Sequence, residues 1–312
     1  MTEINKKILV LLSTYNGELY LESQLNSILL QKEVDVYLLI RDDGSSDNTL
    51  CIIKSYIDAY PSKIFVEEGK NVGCAKSFRL LMELALNFCE NKSGVDFFAF
   101  CDQDDIWKPE KLKIAVDRLS LLDDALPNLF FSQYQKIDSL GNELPTQKNV
   151  FKLTFGEALV MNPSVGCTQV FNRKLLWNAL KATPPFLILH DWWIYIVCLA
   201  LSGNVVYEKQ PLVLYRQHER NVIGSKKISR FQKLKNWLYH KNNNQCSQLA
   251  KALELAYKKE MNDRNLKVVE LVVKYREKLY YQLTLLYHWR YLLTYNKDVN
   301  IGFILSVLFR KF

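Results

Sequence analysis

The sequence predicts an α/β fold: a mainly parallel (mixed) central sheet flanked by helices, followed by a helical C-terminal extension. Three observations carry this. Short continuous apolar runs alternate with segments of helical periodicity through the first third of the chain. Polar clusters fall at the carboxyl ends of those runs. After about Gly224 the runs stop, and basic, helix-patterned sequence takes over.

Lys7 to Ser13 (KILVLLS) is continuously apolar, the pattern of a strand covered on both faces. Leu19 to Gln31 places Leu21, Leu25, Ile28 and Leu29 at helical spacing. Val34 to Ile40 is a second strand and ends abruptly in Arg41-Asp42-Asp43-Gly44-Ser45-Ser46-Asp47, where Ser46 or Asp47 can cap the next helix. Ile64 to Glu67 reads as a third strand, Ala75 to Phe88 as a helix, and Asp96 to Cys101 as a fourth strand. Pro109 then opens a helix at its favoured first position. Strand alternating with helix in this rhythm predicts parallel pairing, and such sheets bind ligands beyond the carboxyl ends of their strands. Thr14-Tyr15-Asn16, Asp42-Asp43 and Asp102 to Asp105 all fall there.

Beyond Gly224, Ile228, Phe231, Leu234 and Leu238 repeat at helical spacing among Lys and Arg, and Glu254 to Tyr295 reads as a long aromatic-rich helix. The expected division is 1–224 for the α/β domain and 225–312 for the helical extension.

Composition narrows the class. The 312 residues are 49% hydrophobic and 24% charged, ordinary for a globular chain. Met1 to Lys7 lacks a signal-peptide core, and runs such as Trp192 to Leu201 are too short to span a bilayer. Seven cysteines without C-x-x-C pairing suit reduced thiols, so a cytoplasmic location is expected. The net charge of +8 is uneven: Arg220 to Leu253 holds eight Lys or Arg and no acidic residue. Around an apolar stripe ending near Trp237 and Leu238, that stretch reads equally as a helix on an anionic membrane surface or as a solvated face. Ile301 to Phe312 is read as a further surface anchor or a dimer contact. No nucleic-acid-binding module accompanies the charge, and none is expected as a partner.

Asp102-Gln103-Asp104-Asp105 puts three carboxylates in four residues after a hydrophobic strand. Such groups repel one another, so a fold gathers them chiefly around a compensating cation, here a hard divalent ion such as Mn²⁺ or Mg²⁺. The plainer reading of any single one is a helix cap. Asp42-Asp43-Gly44-Ser45 has the same ambiguity: a capped turn, or an acceptor-only carboxylate for the imide N–H of a pyrimidine base.

The pattern as a whole resembles glycosyltransferase family 2 on the nucleotide-sugar-binding GT-A fold. The matching pieces are Ser13-Thr14-Tyr15-Asn16, Asp42 to Asp47 with Thr49, Asn71-x-Gly73, Asp102-x-Asp104-Asp105 with Trp107 and Pro109, and His190-Asp191-Trp192. Together with Trp193 and Tyr215-Arg216-Gln217-His218-x-x-Asn221-x-x-Gly224, they resemble bacterial rhamnosyltransferases of polysaccharide assembly. The resemblance implies donor binding by Ser13, Tyr15, Asp43, Asp102 and Arg216, with Tyr15 flanking the base and Asp43 reading its imide edge. It implies metal ligation by Asp104 and His218, and Asp191 as catalytic base. Trp192, Trp193 and Gly166 would border the acceptor, although one tryptophan of the pair suits a core. Asp191 also reads as the cap of the helix that follows, and His218 also reads as a structural imidazole. The implied reaction is an inverting, metal-dependent transfer from a dTDP- or UDP-linked sugar, with dTDP-β-L-rhamnose favoured, onto a saccharide acceptor, lipid-linked by expectation. The Q-x-x-R-W ending of processive members is absent, so one or a few transfers are expected. Two other readings are a nucleotidyltransferase, for which Ser13 to Gly17 supplies no glycine-rich phosphate loop, and a non-catalytic glycan-binding member.

Overall fold

The computed structural model describes residues 6–91, 94–147, 150–183, 189–219, 245–294 and 296–310. Strand β1 (Lys7–Thr14) leads to α1 (Leu21–Leu29), β2 (Asp35–Asp42), α2 (Thr49–Ala59), β3 (Ile64–Glu68), α3 (Cys74–Asn91) and β4 (Val95–Cys101). These strands pair in parallel in the order β3-β2-β1-β4, with Thr14 in register with Asp42 and Leu12 in register with Cys101. Register places the polar strand ends side by side along one rim. β1 is buried on both faces, as its unbroken apolar run requires: Leu9 and Leu11 enter one core layer, and Ile8, Val10 and Leu12 enter the other. Phe98 and Phe100 against Phe97, Ala99 and Cys101 repeat the alternation on β4.

The second half of the sheet is mixed. β5 (Ile106–Trp107), α4 (Lys111–Leu119), β6 (Asn128–Ile137), α5 (Phe155–Val160), β7 (Val170–Asn172), α6 (Arg173–Leu180), α7 (His190–Ala200) and β8 (Asn204–Arg216) complete it. β7 runs antiparallel to both β4 and β6, β6 is parallel to β8, and β5 closes the edge antiparallel to β8.

Three local expectations shift. Pro109 stands one residue before Glu110, the N-cap of α4, so it precedes the helix instead of opening it. Asp47 accepts the Thr49 N–H at 3.0 Å, one residue outside the N-cap Asn48. The long helix expected from Glu254 to Tyr295 is broken into α8 (Gln245–Tyr257), α9 (Asp263–Lys274) and α10 (Leu279–Tyr287), with α11 (Lys297–Leu308) following. Asparagine is the reason at two breaks. Asn262 accepts from Asn265 N–H at 2.8 Å to start α9, and Asn296 accepts from Asp298 N–H at 2.9 Å to start α11. The amphipathic helix expected around Trp237 and Leu238, the motif residues Asn221 and Gly224, and the boundary at 224 lie outside the described residues.

These C-terminal helices share the core of the α/β body. Leu249, Leu253, Tyr257, Val269, Leu285 and Phe303 join the same buried cluster as Leu9, Phe98 and Trp193. The Tyr257 hydroxyl donates to Asn178 O at 2.7 Å, and the Asn265 amide donates to Leu199 O at 3.0 Å and Ala200 O at 3.2 Å, satisfying carbonyls at the end of α7.

The tightest joint is at Gly156 in α5, where an added Cβ would lie 1.9 Å from the carbonyl oxygen of Tyr291. Gly156→Ala should therefore destabilise the chain by about 1–3 kcal/mol through overpacking. Gly302→Ala in α11, with nothing within 4 Å of the new methyl, should hold or raise stability by up to about 1 kcal/mol. Urea unfolding of both variants checks the pair.

Candidate active site

The site is assembled at the carboxyl ends of β1, β2 and β4. Its first layer is a lattice of side chains holding the strand-end loops. Asp42 accepts from Thr14 Oγ1 at 2.8 Å, Ser45 Oγ at 2.6 Å and the N–H groups of Gly44 at 3.1 Å and Ser45 at 2.8 Å. The left-handed backbone at Gly44 (φ 82°) permits this turn. Asp43 accepts from the N–H groups of Val72 and Gly73, both at 2.9 Å, and is paired with Arg41. Arg41 also donates to Ser77 Oγ at 2.9 Å, and Ser77 Oγ lies 2.6 Å from Ser13 Oγ.

Asp43 is thus a buried pin, 2% exposed. This corrects its reading as an open acceptor for a base, because its lone pairs already serve the Asn71–Gly73 loop and Arg41. Ser13 is likewise engaged by Ser77. Tyr15 does stand open, 47% exposed. Its backbone is clamped at two points by Gln103, whose Oε1 accepts the Tyr15 N–H at 2.8 Å and whose Nε2 donates to Tyr15 O at 3.0 Å.

The acidic loop forms the second layer. Asp105 is fully buried beside the Cys167 thiol, with Oδ1 accepting the Arg216 N–H at 3.0 Å; among the described residues no donor stands at hydrogen-bond distance from Oδ2. Ligand atoms of Asp102, Asp105 and Cys167 lie within 4.8 Å of one another. Burial, reinforced by Asp105, Asp104 and Asp191, raises the Asp102 carboxyl well above the usual carboxylate range; burial and Asp104 raise that of Asp105. The two carboxylates of this set suit a hard divalent cation, and the Cys167 sulfur is the softer member. Asp104 and His218 form the outer edge, Asp104 Oδ2 being 2.6 Å from His218 Nε2. The His218 ring stacks on Tyr20 at 5.2 Å.

Arg216 is a strut in this geometry. Its Nε donates to Asp104 O at 2.9 Å and its Nη1 to Ser139 O at 3.1 Å, and its guanidinium lies 4.6 Å over the Tyr20 ring. The diphosphate contact expected of Arg216 meets a guanidinium that is 5% exposed and spent on carbonyls.

Asp191 arrives from α7 and converges with the loop: it accepts the N–H of Gly166, and the ligand atom of the next residue, Cys167, lies within 4.8 Å of those of Asp102 and Asp105. Burial, with Asp102, Asp191, Asp43 and Asp104, pushes the nearby Cys74 thiol upward. Asp191 lies within the first turn of α7, behind the N-cap Leu189, so it is not itself the cap. It accepts from Trp192 N–H at 2.6 Å and from Gly166 N–H at 3.1 Å. Burial raises its carboxyl to about 6 against these hydrogen bonds, which lower it. Gly166 is buried beneath Asp191, and a Cβ there would meet His190 Nε2 at 2.8 Å, so it supports Asp191 instead of bordering an acceptor. Trp193 is likewise corrected: 4% exposed, it donates to Ala179 O at 2.9 Å within the core. Trp192 remains half-buried, its Nε1 donating to Ala158 O at 2.7 Å.

Sequence reasoning missed Tyr20, Gln103 as a clamp, and Lys111. Lys111 is fully buried with Nζ 3.3 Å from the Trp107 ring centroid, and burial lowers its amine to about 7. Its neighbours Lys108, Glu110 and Lys113 make a charged pattern that carries no signal of a buried amine.

The sequence profile of the family described as Glycosyl transferase family 2 matches residues 9–179, more than half of the chain. The chain belongs to glycosyltransferase family 2. It is similar to the dTDP-rhamnosyl transferase RfbG of Shigella flexneri, 33% identical over 224 residues, 69% of this chain and 74% of that protein. It is also similar to the UDP-Glc:alpha-D-GlcNAc-diphosphoundecaprenol beta-1,3-glucosyltransferase WfgD of Escherichia coli, 26% identical over 192 residues, 61% of this chain and 68% of that one. In fold it is similar to S. aureus TarS 1–349 solved with UDP-GlcNAc, with a TM-score of 0.54 and 18% identity over 87% of each chain.

Gln103→Ala removes both bonds to Tyr15, worth about 1–1.5 kcal/mol in local opening. Hydrogen exchange at the Tyr15 amide should accelerate roughly tenfold, with the amides of β1 unchanged.

Proposed function

We propose that the chain is a cytoplasmic inverting glycosyltransferase that moves L-rhamnose from dTDP-β-L-rhamnose onto a lipid-linked saccharide in cell-surface polysaccharide assembly. The observation that carries this reading is the convergence of Asp191, from α7, with the acidic loop that follows β4: Asp191 accepts the Gly166 N–H at 3.1 Å, and the next residue, Cys167, groups with Asp102 and Asp105. The choice of sugar and of a lipid diphosphate carrier is supported by the names of the two curated relatives.

In this reading Tyr15 flanks the nucleobase, on a loop that Gln103 and Asp43 hold in place. Asp104 and His218 would hold a divalent cation, with Asp102 and Asp105 behind them. Such a cation supplies positive charge against the leaving diphosphate. Asp191 takes the proton from the attacking acceptor hydroxyl as that oxygen bonds to the anomeric carbon from the face opposite the diphosphate. With a single displacement and no enzyme nucleophile, configuration inverts and the product is an α-linked rhamnoside. Two N–H donors fix the Asp191 carboxylate, and its raised pKa brings its basicity toward the operating pH. The outer face of Trp192 offers a stacking surface for an acceptor sugar.

A panel of nucleotide sugars with Mn²⁺ or Mg²⁺, read as released nucleotide, tests donor choice; release from UDP-glucose but not from the rhamnosyl donor would overturn the rhamnosyl reading. Asp191→Asn should keep donor affinity and lose about 10²–10⁴-fold in transfer; loss of affinity would remove Asp191 from the base role. Because the base works ionised, wild-type transfer should fall as pH drops through about 6, a limb read from kcat against pH. Asp104→Ala should nearly abolish turnover with every donor, and calorimetric titration with Mn²⁺ should show its binding weakened.

A further inference from the structure

We infer that Tyr20 is a positioning residue whose ring holds His218 and Arg216 against Asp104, so that the outer edge of the acidic loop is preformed. Tyrosine has no local reason to stand here. Tyr20 is the N-cap of α1, a place that favours Ser, Thr, Asn or Asp, and its side chain makes no cap bond. Its backbone is nevertheless fixed: the Tyr20 N–H donates to Gly17 O at 3.1 Å, and Tyr20 O accepts the Gln24 N–H at 3.1 Å. Gly17 is tied in turn to the start of α2, its N–H donating to Thr49 Oγ1 at 2.8 Å. The half-buried ring therefore stands on a braced corner.

Two side chains from the end of β8 and just beyond it meet that ring. The Arg216 guanidinium lies 4.6 Å from the ring centroid, and the His218 imidazole stacks on the ring at 5.2 Å with 29° between the planes. Both also reach Asp104. Arg216 Nε donates to the Asp104 carbonyl oxygen at 2.9 Å, and His218 Nε2 lies 2.6 Å from Asp104 Oδ2. Each of the two is thus held by the same tyrosine and the same aspartate. The electron-rich ring attracts the guanidinium and the positive edge of the imidazole. Stacking also fixes the imidazole plane, which a single hydrogen bond leaves free to swing about the Nε2–Oδ2 line. Groups behind a ligand set its orientation and so its affinity for a cation. Leucine would fill much of the same space and offer no such ring. The inference rests on the assignment of Asp104 and His218 to the cation in the transferase reading, and it names what holds them.

The test compares Tyr20→Phe, which keeps the ring, with Tyr20→Leu, which removes it, in the full-length chain. Calorimetric titration with Mn²⁺ should give wild-type affinity for the Phe variant and about tenfold weaker binding for the Leu variant. In a His218→Ala background the Leu change should cost about threefold or less, because it acts chiefly through that imidazole. Without metal or donor, carbethoxylation of His218, mapped by mass spectrometry, should run about tenfold faster in Tyr20→Leu than in wild type or Tyr20→Phe. If Tyr20→Leu fails to fold, Tyr20→Met is read in the same way. A wild type that binds no Mn²⁺ would remove the cation assignment alone, and the carbethoxylation rates would still decide the role of Tyr20. Equal carbethoxylation rates across the variants, undiminished Mn²⁺ affinity in the Leu variant, or a Phe variant as impaired as Leu would each overturn the inference.

Discussion

The structure depends on a concentration of negative charge at one rim of the sheet. Two carboxylates about 4 Å apart repel by roughly 4 kcal/mol at the effective dielectric of a protein surface, and Asp42, Asp43, Asp102, Asp104, Asp105 and Asp191 all gather there. Each is answered differently. Asp42 and Asp43 are saturated by backbone N–H groups, hydroxyls and Arg41, and serve the scaffold. Asp104 meets His218. Burial raises the carboxyls of Asp102, Asp105 and Asp191, helped at Asp102 by Asp105, Asp104 and Asp191 and at Asp105 by Asp104. The division separates groups that hold the loops from groups left with unspent affinity for a cation or a proton.

Holding those groups in place is the work of a few cross-links between segments far apart in sequence. Gln103 ties the acidic loop to the loop after β1. Arg216 ties the end of β8 to the same acidic loop, through its backbone N–H to Asp105 and its side chain to Asp104 O. Tyr20 then lies under both Arg216 and His218, so the entry to α1 supports the outer edge of the acidic loop. His190 stacks on Phe78 at 3.6 Å, and burial lowers its imidazole to about 3, which keeps it neutral beside Asp191. A charged imidazolium there would lower the Asp191 carboxyl that burial has raised.

The C-terminal helices add support from behind. α8 packs on α6 and α7 through Tyr257, and Asn265 completes the end of α7. The helix that carries Asp191 at its start is therefore braced at its finish by a part of the chain with no acidic-site motif. The same helices leave the side chains of Leu279, Tyr280, Leu283 and Tyr287 exposed.

Much of this was legible in the sequence, because local patterns decide local structure. The unbroken apolar runs of β1 and β4 could only be strands covered on both faces, and they are. Asp102 to Asp105 after such a strand could only fall at the ligand-binding rim. Side-chain fate was less legible, since hydrogen-bond partners come from distant segments. Asp43 looked open until the Asn71–Gly73 loop closed on it, Trp193 and Gly166 looked outward until packing turned them in, and the C-terminal pattern ran as one helix until asparagine caps and the shared core divided it. The sequence by itself determined which elements form and which chemical groups reach the rim, because periodicity and strand ends are short-range properties. Only the tertiary structure decided which carboxylates are spent as scaffold and which remain for chemistry, because burial and hydrogen-bond satisfaction depend on neighbours that the order of residues does not reveal.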